Sequence, residues 1–271
     1  MKVVRLTEDK TINPGGKPYP TSGWCIIVCG GSGMGKSTVV DNLLNIDGKH
    51  LDVDVVKSLW LKTTQFDGDI LTTADGKQYD LDKENIPEPY DFSNPKFVSF
   101  VHKVAKPVAR ARQNAFIKSA GSVTKDRLPN VIFDITGDKI TKFMDIIDTV
   151  RPLGYQIAVV FVAGEVSQAI EQNERRPRKV DRDILLTKHK DVLYTIDKLF
   201  KSNIIKQVDE CYIVVQFRID VNTREGKLAY IKKDNVYKVK SAGKELLVPQ
   251  NIQHLISSEY EKLISGYYDE N

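Results

Sequence analysis

The chain has 271 residues, 41% of them hydrophobic and 28% charged, with 40 Lys and Arg against 36 Asp and Glu for a formal net charge of +4. That length supports one sizeable core, or a core with attached elements, that folds unaided, and the mild positive charge permits a polyanionic partner without requiring one. Cys25, Cys29 and Cys211 lie in apolar runs without metal-ligand spacing, so neither a disulfide framework nor a zinc site is expected, and a reducing compartment is implied.

The opening MKVVRLTEDK lacks the apolar stretch of a signal peptide, and no run approaches the roughly 20 apolar residues that span a bilayer. A cytoplasmic protein with no membrane partner is expected, in the host cytoplasm if the source is viral. Residues 1–22, with Pro14-Gly15-Gly16-Lys17-Pro18, read as a mobile lead-in to an ordered core starting near Gly23.

The run Trp24 to Cys29 is short, apolar and rich in β-branched residues, as suits a strand buried on both faces. His50 to Asp54 reads as a second strand, followed by a helical start at Val55-Val56-Lys57. Ile70 to Leu81, with an Asp-Gly turn at Asp75-Gly76, predicts a β-hairpin, and Phe97 to Ile117 a helix that Pro107 kinks or splits. Together these form an insertion over about residues 62–120.

Three further strands are predicted at Val131 to Ile135, Tyr155 to Val162 and Cys211 to Phe217. Helical spacing of Ile140, Phe143, Met144, Ile147 and Val150 ends at Pro152 and Gly154, and a second amphipathic helix runs from Leu185 to Phe200. The alternation is that of an α/β protein with a central, mostly parallel sheet between helical layers. Residues 23–220 would form this domain. Residues 221–271 add two short strand-like runs around Arg224 to Lys227 and a closing helix from Ile252 to Ile264.

Gly30-Gly31-Ser32-Gly33-Met34-Gly35-Lys36-Ser37 fits GxxxxGK[ST] and lies between a buried strand and a helix, the context of a phosphate-binding loop. Glycines let successive N–H groups turn inward toward phosphate oxygens, and the start of the next helix adds to the field. Lys36 would neutralise β- and γ-phosphate charge, Ser37 would ligate Mg²⁺, and Thr38 begins the helix body. A nucleoside triphosphate, ATP, with Mg²⁺ is the expected cofactor pair.

Val131-Ile132-Phe133-Asp134 ends an apolar strand with a carboxylate suited to a magnesium-bound water, or to capping a helix. Thr136-Gly137 after it suggests backbone close to a ligand. Asp54, at the predicted end of the second strand, is placed to accept a proton from an attacking hydroxyl, or to cap the next helix. Asn173-Glu174-Arg175-Arg176-Pro177-Arg178-Lys179 interrupts a helical pattern and reads as a basic lid over about 173–182. Its guanidinium groups, Arg176 and Arg178 foremost, match the charge that develops on a transferring phosphoryl group; a solvated basic loop is the simpler alternative. Arg110 and Arg112 form either an exposed basic face or a contact to an anionic acceptor. His189 falls on the apolar side of its helix, as a satisfied core histidine would.

These pieces, GGSGMGKS, DVDVVK, VIFDITG, LGYQIAVVFV and AIEQNERRPRKV, resemble the zeta-toxin and polynucleotide-kinase group of P-loop kinases, especially the zeta-toxin-like kinases of bacteriophages. The resemblance covers about residues 24–202, and its selective part is the N-x-x-R-x-R-x-V pattern of Asn173, Arg176, Arg178 and Val180. It implies a three-layer P-loop NTPase fold and a kinase acting on a hydroxyl of a nucleotide, nucleotide-sugar or nucleic-acid acceptor. By position it implies phosphate and magnesium binding by Lys36 and Ser37, a catalytic base in Asp54, and transition-state stabilisation by Arg176 and Arg178. The insertion from Lys62 to Ala120 lies outside the family pattern. The competing class is a nucleotide-binding ATPase or interaction protein, such as a viral assembly or regulatory factor, which would need neither the lid nor Asp54.

Overall fold

A run such as Trp24-Cys-Ile-Ile-Val-Cys29 has no polar side chain to satisfy, so it is stable only where both faces are covered. In the computed structural model it is strand β1 (Trp24–Cys29), buried at all six positions. The structure describes residues 12–16, 22–51, 53–124, 127–175, 179–222 and 228–269, with the backbone alone for 53–55, 217–222 and 228–235.

The remaining strands are β2 (Lys49–Leu51), β3 (Gln65–Asp67), β4 (Ile70–Thr72), β5 (Gln78–Asp80), β6 (Val131–Ile135), β7 (Gln156–Ala163), β8 (Glu210–Asn222) and β9 (Leu228–Lys240). The helices are α1 (Lys36–Asn42), α2 (Val53–Lys62), α3 (Pro95–Ala120), α4 (Ile140–Val150), α5 (Val166–Arg175), α6 (Arg182–Lys201) and α7 (Gln250–Ile264). Six strands form one sheet in the order β2-β6-β1-β7-β8-β9, with β3-β4-β5 a separate antiparallel sheet. In the main sheet only the β8–β9 pair is antiparallel.

Period-two alternation divides the core between the two faces of this sheet. Cys25, Ile27 and Cys29 of β1 join Val131, Phe133, Val159, Phe161, Ile213 and Val215 under α4, α7 and most of α6. Trp24, Ile26 and Val28 join Ile132, Val160, Val162 and Val214 under α1, α5 and the start of α6. Each buried Val, Ile or Phe contributes about 1.5–3 kcal/mol, so doubly covered strands dominate the stability of the three-layer α/β fold. This is a P-loop NTPase fold with its glycine loop after the strand between β6 and β7.

The structure differs from expectation at four places. Residues 12–16 are packed: Ile12 is fully buried, donates to the Leu43 carbonyl (2.9 Å) and accepts from Asn45 N (2.9 Å). The second strand is shorter, because β2 pairs only with β6 and only over Lys49 to Leu51; α2 begins at Val53, so Asp54 stands in a first helical turn. The hairpin β4–β5 gains a third strand, β3. Of the two outcomes expected at Pro107, a kink or a split, the split is excluded, since α3 is one helix; Asn94 caps its start, and the exposed Pro107 leaves a Lys103 carbonyl free to be hydrated while Phe97, Val101, Ala105 and Ala109 remain buried. The C-terminal strands are long, β8 and β9 having 13 residues each.

The insertion has its own small core of Leu71, Leu81, Ile86, Phe97, Phe100 and Val101. It meets the start of α6 across an open cleft of about 470 Å³ lined by Ile86, Ser99, Phe100, Asp181 and Ile184, away from the glycine loop. Among the described residues, no helix is long and apolar enough to cross a membrane.

Candidate functional site

Strand β1 delivers the chain to Gly30 at the C-terminal edge of the sheet, where parallel α/β folds place ligands. Gly30 N donates to the Thr136 carbonyl (3.2 Å), tying the loop to the segment after β6, and Met34 N closes a turn onto the Gly31 carbonyl (3.3 Å). Gly35 adopts a left-handed conformation (φ 79°) at the start of α1, and no side chain caps that helix. Gly30, Gly31, Ser32, Gly33, Met34 and Gly35 thus form the bend, and Lys36, Ser37 and Thr38 the first turn of α1.

Lys36 folds back over this bend. Its ammonium donates to the carbonyls of Gly30 (3.0 Å) and Gly31 (3.3 Å) and lies 3.9 Å from an Asp134 carboxylate oxygen. Register places Asp134 of β6 directly beside Val28 of β1, so the acidic strand end and the loop share one edge. Ser37 is exposed and Asp134 partly exposed. A hydroxyl with a carboxylate is a hard-oxygen donor pair that fits Mg²⁺, which completes its shell with water and phosphate oxygens. Among the described residues no cluster of three or more His, Cys, Asp or Glu forms a self-sufficient metal cage.

Gly137 has a local explanation other than a ligand. With φ at 76°, a Cβ there would lie 2.9 Å from the Cys29 Cβ, so its missing side chain lets the chain turn tightly against the end of β1. The Thr136 carbonyl, holding Gly30, makes the same junction.

His189 of α6 supports the loop from beneath. It is only 2% exposed, and its Nε2 lies 2.8 Å from the Ser32 carbonyl. A carbonyl only accepts, so the neutral ring carries its proton on Nε2. Burial holds the imidazole down at about 4, the Ser32 carbonyl opposing this and the Lys36 ammonium adding to it, so the ring is uncharged at neutral pH. The expectation of a satisfied core histidine holds, and what satisfies it is the Ser32 carbonyl of the glycine loop.

The residues that flank the basic segment expected to form a lid are tied to each other. Asn173, 8% exposed, donates from Nδ2 to the Val180 carbonyl (2.7 Å) and accepts from Val180 N (2.8 Å). A side-chain amide thus imitates a strand partner and ties the last turn of α5 to the chain just ahead of α6. Arg175, at the end of α5, pairs with Glu171, and Asp181 caps α6 through the N–H groups of Asp183 (3.0 Å) and Ile184 (3.2 Å). Lys179 is exposed. Arg176 and Arg178 lie outside the described residues.

Glu259 of α7 is 1% exposed and accepts from Val166 N at the start of α5 (2.8 Å), from the Tyr268 hydroxyl (2.7 Å) and from Lys262 (2.6 Å). Arg182, the first residue of α6, donates to the Tyr268 carbonyl (2.8 Å). The starts of α5 and α6 are therefore both anchored to the C-terminal segment. Neither Glu259 nor the His189 contact with Ser32 carries a local sequence signal.

On the opposite side of the loop, α3 passes the end of β2, where Gln113 donates to the Leu51 carbonyl (3.2 Å). Asp54 follows three residues later, within α2. Arg110 and Arg112 are exposed on α3.

No protein-family model matches the chain, and no curated protein matches its sequence. Solved structures do match. The AvrRxo1-ORF1:AvrRxo1-ORF2 complex with sulphate ions is similar at TM-score 0.54 and 10% identity, over 88% of this chain and 64% of that one. The AvrRxo1-ORF1:-ORF2 complex with ATP is similar at TM-score 0.52 and 12% identity, over 90% of this chain and 64% of that one. The chain spans a little under two thirds of those proteins' length, and the likeness is one of fold.

Proposed function

We propose that this chain is a P-loop kinase that moves the γ-phosphate of ATP, with Mg²⁺, to a hydroxyl of a nucleotide, nucleotide-sugar or nucleic-acid acceptor. The observation that carries the reading is the glycine bend with the Lys36 ammonium at its mouth, 3.9 Å from Asp134. Backbone N–H groups and one ammonium suit a triphosphate; a hydroxyl on Ser37 and a carboxylate on Asp134 suit the magnesium that accompanies it. The ATP-bound AvrRxo1-ORF1:-ORF2 complex, alike in fold, supports nucleotide as the ligand class.

A kinase also needs a base for the acceptor hydroxyl and cations for charge spreading over the transferred group. Asp54 is the proposed base, three residues beyond the end of β2 on the C-terminal side of the sheet. Arg176 and Arg178 are the proposed cations, on the loop closed by Asn173 and Val180. Pinning both ends of that loop supports a lid that positions its arginines and excludes water.

The test is transfer of label. With γ-labelled ATP, magnesium and a mixture of nucleotides, nucleotide-sugars and oligonucleotides, label must appear on an acceptor and must fall by about 100-fold or more in Asp54→Asn, the range of a lost general base. Label released only as free phosphate overturns the kinase reading.

A further inference from the structure

A second cluster of charge stands beside the phosphate loop and is not used by donor binding. Asp138, four residues past Asp134, is 8% exposed and is held by Lys142 of α4 and by Lys188 of α6 at 2.7 Å. Burial alone would raise this carboxyl; the two lysines outweigh it and bring it down to about 2, so it is an anion at any working pH. It acts as a tether that draws ammonium groups from two helices to one point.

More cations converge there than the tether neutralises. Lys106 of α3 is partly buried, and its ammonium is pulled below its ordinary value first by that burial and then by repulsion from Lys142 and Arg110, with Asp138 opposing and Lys139 adding. Lys106 and Arg110 are one helical turn apart and share a face of α3. Lys139 opens α4, whose start no side chain caps. Among the described residues, the carboxylates paired with these five cations are Asp138 and Asp191, the latter 4.0 Å from Lys188. Crowded like charges cost stability unless an anion joins them, and such concentrations of perturbed groups mark binding sites.

Three connections fix where this cluster lies relative to the chemistry. Asp138 follows the β6 end that carries Asp134. Lys188 immediately precedes His189, which supports the Ser32 carbonyl. Arg110 is one turn before Gln113, whose amide grips the Leu51 carbonyl just ahead of Asp54. The cluster therefore lies on the β2–β6 side of the loop, whereas the lid, carried by α5 after β7, belongs to the other side. A phosphate there would belong to a molecule whose hydroxyl can approach the proposed base, and not to the donor.

We propose that Lys106, Arg110, Lys139, Lys142 and Lys188, gathered around Asp138, form a binding site for a phosphate already present on the acceptor. The proposal rests on the kinase reading for the word acceptor and makes that acceptor a phosphate ester, either a free nucleotide or the backbone of a nucleic-acid strand. An unphosphorylated nucleoside or sugar would leave the cations unpaired and bind poorly.

Equilibrium binding tests this without turnover. With the loop saturated by a non-hydrolysable ATP analogue and magnesium, the full chain is titrated with thymidine, dTMP and a fluorescent eight-residue oligo-dT. Phosphate-bearing probes are expected to bind, and thymidine not. The double variant Lys106→Ala with Arg110→Ala, whose side chains are partly or fully exposed, should lose about tenfold or more for those probes while its ATP-analogue affinity serves as the folding control. Binding of dTMP as well as the oligonucleotide identifies a nucleotide phosphate; binding of the oligonucleotide alone identifies a strand backbone, with a salt dependence that weakens by about 0.7 in log-log slope for each cation removed. Equal binding of thymidine and dTMP, failure of every phosphate-bearing probe, or an unchanged double variant overturns the proposal. Phosphate-dependent binding without transfer of label would leave this site standing and overturn only the kinase reading.

Discussion

The imidazole of His189 occupies the space that a side chain on Gly31 would need: a Cβ built on Gly31 would lie 2.1 Å from the ring Cε1. The loop and α6 are fitted to each other across more than 150 residues of sequence, and the Nε2 contact to Ser32 locks the fit.

Gly31→Ala should therefore be destabilising by about 1–3 kcal/mol, the usual cost of overpacking, and should weaken ATP binding because the loop must shift to admit the methyl group. His189→Ala should cost a comparable amount by leaving a cavity and an unmet Ser32 carbonyl. Urea unfolding of both single variants and the double variant should show the double less destabilised than their sum, by about 1 kcal/mol or more, since the small ring-free space accepts the new methyl. Strict additivity would show that the two positions do not touch.

The same histidine makes stability depend on pH. Its folded value of about 4 lies below the ordinary 6.5, so the native state resists protonation that the unfolded chain accepts. The stabilisation is complete above pH 6.5 and is lost as pH falls toward 4, on the order of 3 kcal/mol in all. Asp138, at about 2, titrates below that window. Unfolding free energies measured from pH 7 to pH 4 should decline in the parent, and more shallowly in His189→Asn, which retains a donor for Ser32. Equal slopes would remove His189 as the cause.

Asn173→Ala removes both hydrogen bonds that close the lid loop. A loss of about 1–3 kcal/mol is expected from the partly buried Val180 groups left unmet, with faster tryptic cleavage within residues 174–179. Transfer should fall more than ATP affinity, because in the proposed mechanism donor binding depends on the glycine bend and the lid acts on the transferring group. An equal loss of both would mean that the lid holds the nucleotide itself.

Glu259→Ala should be among the more damaging substitutions outside the glycine loop itself. It strips the first N–H of α5 of its acceptor and leaves Tyr268 without its partner in a site 1% exposed. A cost of about 2–4 kcal/mol is expected for a lost cap plus an orphaned hydroxyl, and Tyr268→Phe should cost much less. Thermal denaturation of the two variants distinguishes this from a passive packing role, in which the Tyr268 change would be equally harmful.

How much of this was legible in the sequence follows from how local each signal is. β1, β6, β7 and the first half of β8 could be read because strands covered on both faces become continuous apolar runs, and α4 and α7 because their apolar residues recur at helical spacing. β9 was only partly legible: an edge strand with a polar stretch such as Lys232-Lys233-Asp234-Asn235 carries no run of that kind and is set by its partner β8. The loop itself was legible as a motif, and Asn173 with Val180 as a pattern, although their mutual pairing was not. His189 under Ser32, Glu259 on Val166, and Lys188 on Asp138 join residues separated by 157, 93 and 50 positions, and no local periodicity announces such contacts. Asp54 was misplaced by one element because a three-residue edge strand gives periodicity too little length to mark its end.

Nucleotide affinity of Lys36→Ala, measured by calorimetry with magnesium and a non-hydrolysable ATP analogue, bears most directly on the account. Losing the ammonium that lies on the Gly30 and Gly31 carbonyls beside Asp134 should weaken binding by about 100-fold, roughly the 3 kcal/mol of a strong charge-assisted contact to phosphate, with the fold intact by circular dichroism. A folded variant that binds the nucleotide as tightly as the parent would contradict the assignment of this bend as the triphosphate site.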